Sequence, residues 1–543
     1  MKVLVVGGTG VFGSRLARLL IRDGHQVTIT GRRRSKMDRL SQEIGCDYLI
    51  FDRAGSFDEL VATNPEVLVD AAGPFHGYQG DRYALPRACV AHRISYLDLS
   101  DDADFTAGIS ELDDAYRQAG CFALSGVSSV PALSSAAVSG LSGDFDEIDL
   151  IETAILPGNR APRGRSVIES ILAQVGQPMR VRRGGSWRTE RCWSDPRTYE
   201  IFPGDRRKAR SIRVPDHDLF PAFFTARSVT FRAAMELKVM NAAISAMAIL
   251  SKWFGSTWPV RLAGLSEAIA NRLEGFGSDT GGMIVHVTGN REGTSVRKSW
   301  ALRVEAGDGP FIPCIPVRTL LRNPDAIRNG ARACLAEFPI AEAEEAMADL
   351  AIRFDRTEEP RPPLSQRALN SAWNELPSEV RRLHSIQDIE NFSGTAEVIR
   401  GKGLIARIAA MIFRFPVEGG NVPLTITKTR SGDGEIWERN FAGRRFRSYL
   451  TPAKPGHYRE RFGPFNYEQE LPVENGTMHL PVRRGWFLGI PLPRLLLPGS
   501  DSREFALDGR FHFDVGLLAP ITGGLIVRYR GTVSPDGEDR RSL

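Results

Sequence analysis

Gly8, Gly10 and Gly13 stand at the spacing G-x-G-x-x-G, between the apolar run Lys2-Val3-Leu4-Val5-Val6 and a stretch whose leucines recur at helical spacing. A strand that runs into glycines and then into a helix makes a pyrophosphate cradle. One glycine allows a tight turn, one brings backbone near the phosphates, and one lets helix pack on strand. The phosphates then sit on the open N–H groups of the helix N-terminus. Gly8, Thr9, Gly10, Val11, Phe12 and Gly13 are the expected contacts. The next discriminating position follows a second strand, Gln26–Thr30, where Gly31-Arg32-Arg33-Arg34 begins. An NAD site places an Asp or Glu about twenty residues past the glycines, to accept from the ribose hydroxyl. A guanidinium there pairs instead with a 2′-phosphate. Arg32, with Arg33 next, therefore predicts NADP(H).

The elements needed to position these groups alternate down the chain. Strands are expected at 47–52, 67–72, 95–100 and 121–124, with helices between them, which is the pattern of a doubly wound parallel sheet. Ligands of such sheets bind beyond the strand C-termini. Asp52 is thereby placed to touch the adenine, and the small residues Ala72, Gly73 and Pro74 to lie against the nicotinamide half. His76, Tyr96 and Asp98 share the same edge and form the candidate catalytic group. Pro86 falls where a helix to His92 is expected and would kink its interior.

These segments resemble the saccharopine dehydrogenase-like reductases. The likeness rests on the glycine loop, Gly31-Arg32, Ala72-Gly73-Pro74-Phe75, Tyr96-Leu97-Asp98-Leu99-Ser100 and Gly126-Val127-Ser128-Ser129-Val130-Pro131, in that order. It extends more weakly through Gly309-Pro310-Phe311-Ile312-Pro313 to about Phe354. The resemblance implies an NADP-binding Rossmann domain, a second α+β domain, and late helices that return to the first. Substrates in that family range from lysine-pathway intermediates to lipids. A short-chain dehydrogenase opens in the same way, but its chemistry needs a Tyr with Lys four residues on. None of the ten tyrosines has one; Tyr96 is followed by Ser100.

The organisation expected is α/β overall: a Rossmann domain over 1–138, an α+β substrate or dimerisation domain on an antiparallel sheet over 139–354, a linker over 355–371, and a β-rich domain over 372–535. Glu358-Glu359-Pro360-Arg361-Pro362-Pro363 marks the linker. The last domain reads as a curved antiparallel sheet or barrel around a helix, with strands that include 392–399, 424–429, 436–441, 458–465, 504–515 and 525–533. It resembles a family of unknown function often fused behind such reductases. Trp437, Arg439, Phe441, Arg461 and Trp486 could line a ligand cavity there, or form a core with rim arginines.

Composition bounds the rest. The 543 residues are 42% hydrophobic and 25% charged, with a net charge of +5, which gives no field for nucleic acid. Cys46, Cys89, Cys121, Cys192, Cys314 and Cys334 form no C-x-x-C, so neither zinc nor a disulfide framework is indicated. Arg180 to Arg213 interleaves arginines with Trp187 and Trp193, as a basic hairpin or an acidic-ligand surface would. The N-terminus is already a strand, which leaves no room for a signal peptide and points to the cytoplasm. The apolar stretch 242–250 with Trp253 and Trp258 leaves peripheral membrane contact open, as it leaves a homodimer open. The function expected is hydride transfer with NADP(H) to or from a carbonyl, imine or enoyl substrate, small or lipid-like. The alternative is an NADP(H)-binding protein without turnover, whose C-terminal domain binds a ligand, lipid or partner.

Overall fold

In the computed structural model the described residues are 1–53, 55–78, 80–162, 165–255 and 258–536. They divide into two compact units. One comprises Met1–Arg182, Trp187–Gly289 and Arg297–Glu359; the other comprises Arg183–Ser186, Asn290–Val296 and Pro360–Leu543.

The first unit opens with β1 (Lys2–Val6), α1 (Val11–Arg22), β2 (Gln26–Gly31), α2 (Arg34–Ile44) and β3 (Asp47–Ile50). Three further strands are β4 (Val67–Asp70), β5 (Ser95–Asp98) and β6 (Phe122–Ser125). The sheet order is 3-2-1-4-5-6, closed at the far edge by Gly330–Ala333 beside β6, and every pair is parallel. β4, β5 and β6 are buried at every residue, and β1 at every residue after Lys2, as expected of strands covered by helices on either side. The strand order reverses between β1 and β4, which opens a crevice beyond their C-termini. Pro86 sits in the first turn of the helix Ala84–Ala91, where its missing N–H leaves no bond unmade. The chain returns late to this sheet, since the helix Ile315–Arg322 packs on α1.

The same unit carries a second seven-stranded sheet. Its centre differs from the antiparallel arrangement expected, because Ser228–Ala234 runs parallel to Glu147–Leu156. Parallel neighbours need a long crossover; the chain between them supplies it with the helix Arg165–Gln174, the hairpin Pro178–Arg183/Ser186–Arg191 and the helix Asp216–Phe223. The stretch expected as a linker is also different. Ile352–Pro360 is the edge strand of this sheet, and Leu364–Leu369 is a helix. Its charges suit an edge: Glu358 and Glu359 face Lys298 and Arg297 at 3.9 Å. The arginines of the basic stretch are largely engaged. Arg213 holds Asp104 through two bonds, Arg207 holds Asp205, and Arg180 lies 3.9 Å from the centre of the Trp187 ring.

The second unit is a thirteen-stranded antiparallel sheet. Alternate residues of strands near both ends of the strand order line one cavity, for example Phe465 and Tyr467 of Phe465–Glu470 and Ser502 and Glu504 of Gly499–Leu507. A sheet with one face shared in this way must curl. The expected strand 504–515 is a hairpin instead, Gly499–Leu507 and Arg510–Leu518, turning at Asp508-Gly509. Asp-Gly is a strong hairpin signal. The expected strand 458–465 likewise breaks at Gly463-Pro464.

Candidate nucleotide-binding site

The glycine loop is held by contacts that exclude side chains. Gly7 takes φ +75°, and a Cβ on it would come within 2.9 Å of Ala72. A Cβ on Gly8 would meet Ile29 of β2 at 2.5 Å, and one on Gly13 would meet the Gly7 carbonyl oxygen at 2.3 Å. The loop is thus pressed against β4 on one side and β2 on the other. Gly10 caps α1 without a side-chain bond, and the first turn holds no acid. The N–H groups of Val11, Phe12 and Gly13 therefore open towards the crevice as an anion site.

Arg32 and Arg33 follow β2 directly, are exposed, and make no ion pair among the described residues. Gly31 places them beside the loop: a Cβ on it would lie 3.2 Å from Thr9 Oγ1. Two unpaired guanidiniums next to a phosphate cradle fit a phosphorylated ribose. Asp52 lies exposed just past β3. Ala72, Gly73 and Pro74 follow β4, with the Ala72 carbonyl accepting from the Tyr78 hydroxyl at 3.1 Å. The residues present thus fit a dinucleotide with a 2′-phosphate.

The candidate catalytic residues occupy three different environments. His76 is exposed in the single turn Phe75–Gly77. Tyr96 is fully buried, with its hydroxyl 3.4 Å from Asp70 Oδ2, and burial pushes its phenol well above the usual value. Asp98 is fully buried at the end of β5. Its Oδ1 accepts from Ser100 N–H, Ser125 Oγ and Gly126 N–H, each at 2.9 Å. Its Oδ2 has no hydrogen-bond partner among the described residues. Burial pushes this carboxyl up to about 7, against the pull of its donors.

Two features escaped the sequence reading. Asp70, buried at the end of β4, is ion-paired to Arg53, whose guanidinium stacks 3.6 Å from the Tyr78 ring centre. Asp216 is buried close to Ser134, just after the loop that follows β6, and burial pushes it up to about 7. The only signal for the first pair is an acid ending β4 and a base following β3; no local motif marks Asp216.

Comparison with known proteins supplies two domain matches. Residues 3–124 match the saccharopine dehydrogenase NADP binding domain, and residues 376–533 match a domain of unknown function, DUF4166. Among curated proteins, an NADP-dependent 3-hydroxy acid dehydrogenase of Salmonella typhi is 37% identical over 84 residues, covering 13% of this chain and 34% of that protein. The Escherichia coli K12 enzyme of the same description is 34% identical over 83 residues, with the same coverage. The chain thus spans about a third of the length of these relatives. Among solved structures, apo saccharopine dehydrogenase from Saccharomyces cerevisiae aligns at TM-score 0.48 and 13% identity, over 66% of this chain and 99% of that one. The NADPH complex of Gre2 from Candida albicans aligns at TM-score 0.16 and 20% identity, over 18% and 36%.

Proposed function

Residues 3–124 being an NADP-binding domain of the saccharopine dehydrogenase type, we propose that the protein is an NADP(H)-dependent oxidoreductase acting on a carbonyl, imine or enoyl substrate, small or lipid-like. One observation carries the reading: the open N-terminus of α1 and the unpaired Arg32 lie side by side at the switch point of the sheet. The bound nucleotide supplies hydride donation or acceptance. The chain supplies the rest. Val11, Phe12 and Gly13 N–H groups hold the pyrophosphate, while Arg32 and Arg33 hold the 2′-phosphate. Ala72, Gly73 and Pro74 flank the nicotinamide half. Asp98, with an unpartnered oxygen and a value near neutrality, holds or moves the proton.

NADPH consumption against a panel of enoyl, keto and imine compounds tests this. Turnover that Asp98→Asn lowers while NADPH still binds supports it. Binding of NADPH without oxidation across the panel favours the alternative, a nucleotide-binding protein without turnover.

Peripheral membrane contact belongs to the same proposal. The helix Lys238–Phe254 leaves Val239, Ile249 and Trp253 exposed, Trp253 at 81%, as in helices that lie in a bilayer interface. No helix among the described residues is long and apolar enough to cross a membrane. Loss of vesicle binding in Trp253→Glu would support this contact, and unchanged binding would remove it.

A further inference from the structure

The C-terminal unit contains a cavity of about 540 Å³, within the roughly 300–1,000 Å³ typical of small-molecule sites. Strand alternation decides what faces it. Trp437, Arg439 and Phe441 line it, as do Tyr458 and Glu460, whereas Arg461 and Trp486 do not. The expected set is corrected accordingly: Arg461 sits one residue from Glu460, on the opposite face of its strand, and Trp486 packs under Arg459 at 5.0 Å. The wall is otherwise overwhelmingly aliphatic and aromatic.

The mouth is unusual for a protein surface. Ile405, Ile408 and Ile412 of the helix Leu404–Ile412 line the cavity, yet Leu404 and Met411 of the same helix are 74% and 75% exposed. Leu492 and Leu496 also line it, while Leu488, Ile490 and Leu495 around them stand largely in solvent. Apolar side chains gathered in this way mark an interaction surface. Charge identifies what it meets. Residues 400–416 carry Arg400, Lys402, Arg407 and Arg414 and no acid; residues 482–498 carry Arg483, Arg484 and Arg494 and no acid. Exposed aliphatics among basic residues complement an anionic bilayer.

The polar part of the cavity identifies the head of the ligand. Arg439 donates to Ser448 Oγ at 3.0 Å and lies 3.5 Å from Glu460, which also accepts from Gln469 at 3.0 Å. Glu504, on the same wall, pairs with His384 at 2.6 Å. Among the lining residues two carboxylates stand with one guanidinium, and that guanidinium is already held by Glu460, so a free carboxylate head gains no unengaged lining cation. A hydroxyl or carbonyl needs no such cation and can accept from Arg439.

We propose that the C-terminal unit binds one long-chain lipid with an uncharged polar head, drawn from an anionic bilayer through the mouth formed by Leu404–Ile412 and residues 488–496. The proposal does not rest on the nucleotide site or on the exposed helix at 238–254.

The test uses full-length protein carrying Trp253→Glu, so that contact through that helix is not read. The neutral fluorophore N-phenyl-1-naphthylamine is titrated in and then displaced. Each buried methylene contributes about four-fold in affinity, so hexadecanol should displace at least ten-fold better than decanol, and also better than palmitate. Ile412→Glu, at a position already largely exposed, should lower uptake with an unchanged melting temperature. In co-sedimentation, phosphatidylglycerol vesicles should bind the protein and phosphatidylcholine vesicles should bind it weakly. Lys402→Glu with Arg407→Glu should lower the former about ten-fold or more. Absence of uptake, palmitate matching hexadecanol, uptake indifferent to Ile412→Glu, or equal binding to both vesicles would overturn the proposal.

Discussion

A Cβ on Gly13 would stand 2.3 Å from the carbonyl oxygen of Gly7. Neither partner can move aside cheaply. That oxygen also accepts from Gly10 N–H at 2.9 Å, and Gly7 is wedged against Ala72. The glycine therefore serves the approach of α1 to β1, which in turn aims the helix N-terminus at the phosphates. Gly13→Ala should cost about 1–3 kcal/mol of stability through overpacking and weaken NADPH binding. Thermal melting and a fluorescence titration of the same variant check both effects.

Asp98 gives a pH dependence whose sign is fixed by burial. A carboxyl raised in the folded state contributes stability that is complete below its unfolded value, near 3.9. That contribution is lost as pH rises towards about 7. Asp98→Asn keeps an oxygen for the three donors and removes the charge. It should flatten the decline between about pH 4 and 7 and gain of order 1–3 kcal/mol over wild type at pH 8. Asp216, raised in the same direction, leaves a residual slope. Unfolding by denaturant at pH 5 and pH 8 measures the difference.

Arg318 ties the returning helix to the end of α1. Its Nη2 and Nε donate to Asp23 Oδ1 and Oδ2, each at 2.8 Å, and its Nη1 reaches Asp349. Burial raises the Asp23 carboxyl, but the bonds from Arg318 and Arg322 outweigh it and hold it well below the usual range. Its contribution is therefore present above about pH 4 and lost as pH falls further. Arg318→Met, which leaves Asp23 to Arg322 and Asp349 to Arg22, should destabilise by about 1.5–3 kcal/mol at pH 7. The gap should narrow in acid, where the carboxyls of the variant protonate; paired melts at pH 7 and below pH 4 would show it.

What could be read in the sequence was local. Val3 to Val6 and Gly8 to Gly13 declare strand, turn and helix within a dozen residues, and Arg32 follows at a fixed spacing. Trp437, Arg439 and Phe441 are alternate residues of one strand and share the cavity wall. Arg461 stands at odd spacing from Tyr458 on its own strand and so faces away. Arg53 and Asp70 lie on different strand ends and meet only through the sheet order, so no spacing announces them. Glu358, Glu359 and the prolines after them looked like a solvated tether. Their charges are answered by Lys298 and Arg297 across an edge strand, a pairing that depends on tertiary structure.

The central claim rests on Arg32. A charged hydrogen-bonding partner contributes about 1.5–3 kcal/mol, roughly ten-fold or more in affinity. Fluorescence titration of NADPH and NADH into wild type and Arg32→Glu tests it most directly. Wild type should bind NADPH at least ten-fold more tightly than NADH, and the substitution should weaken NADPH by about that factor with little change for NADH. Tighter binding of NADH by wild type, or equal weakening of both nucleotides, would contradict the account.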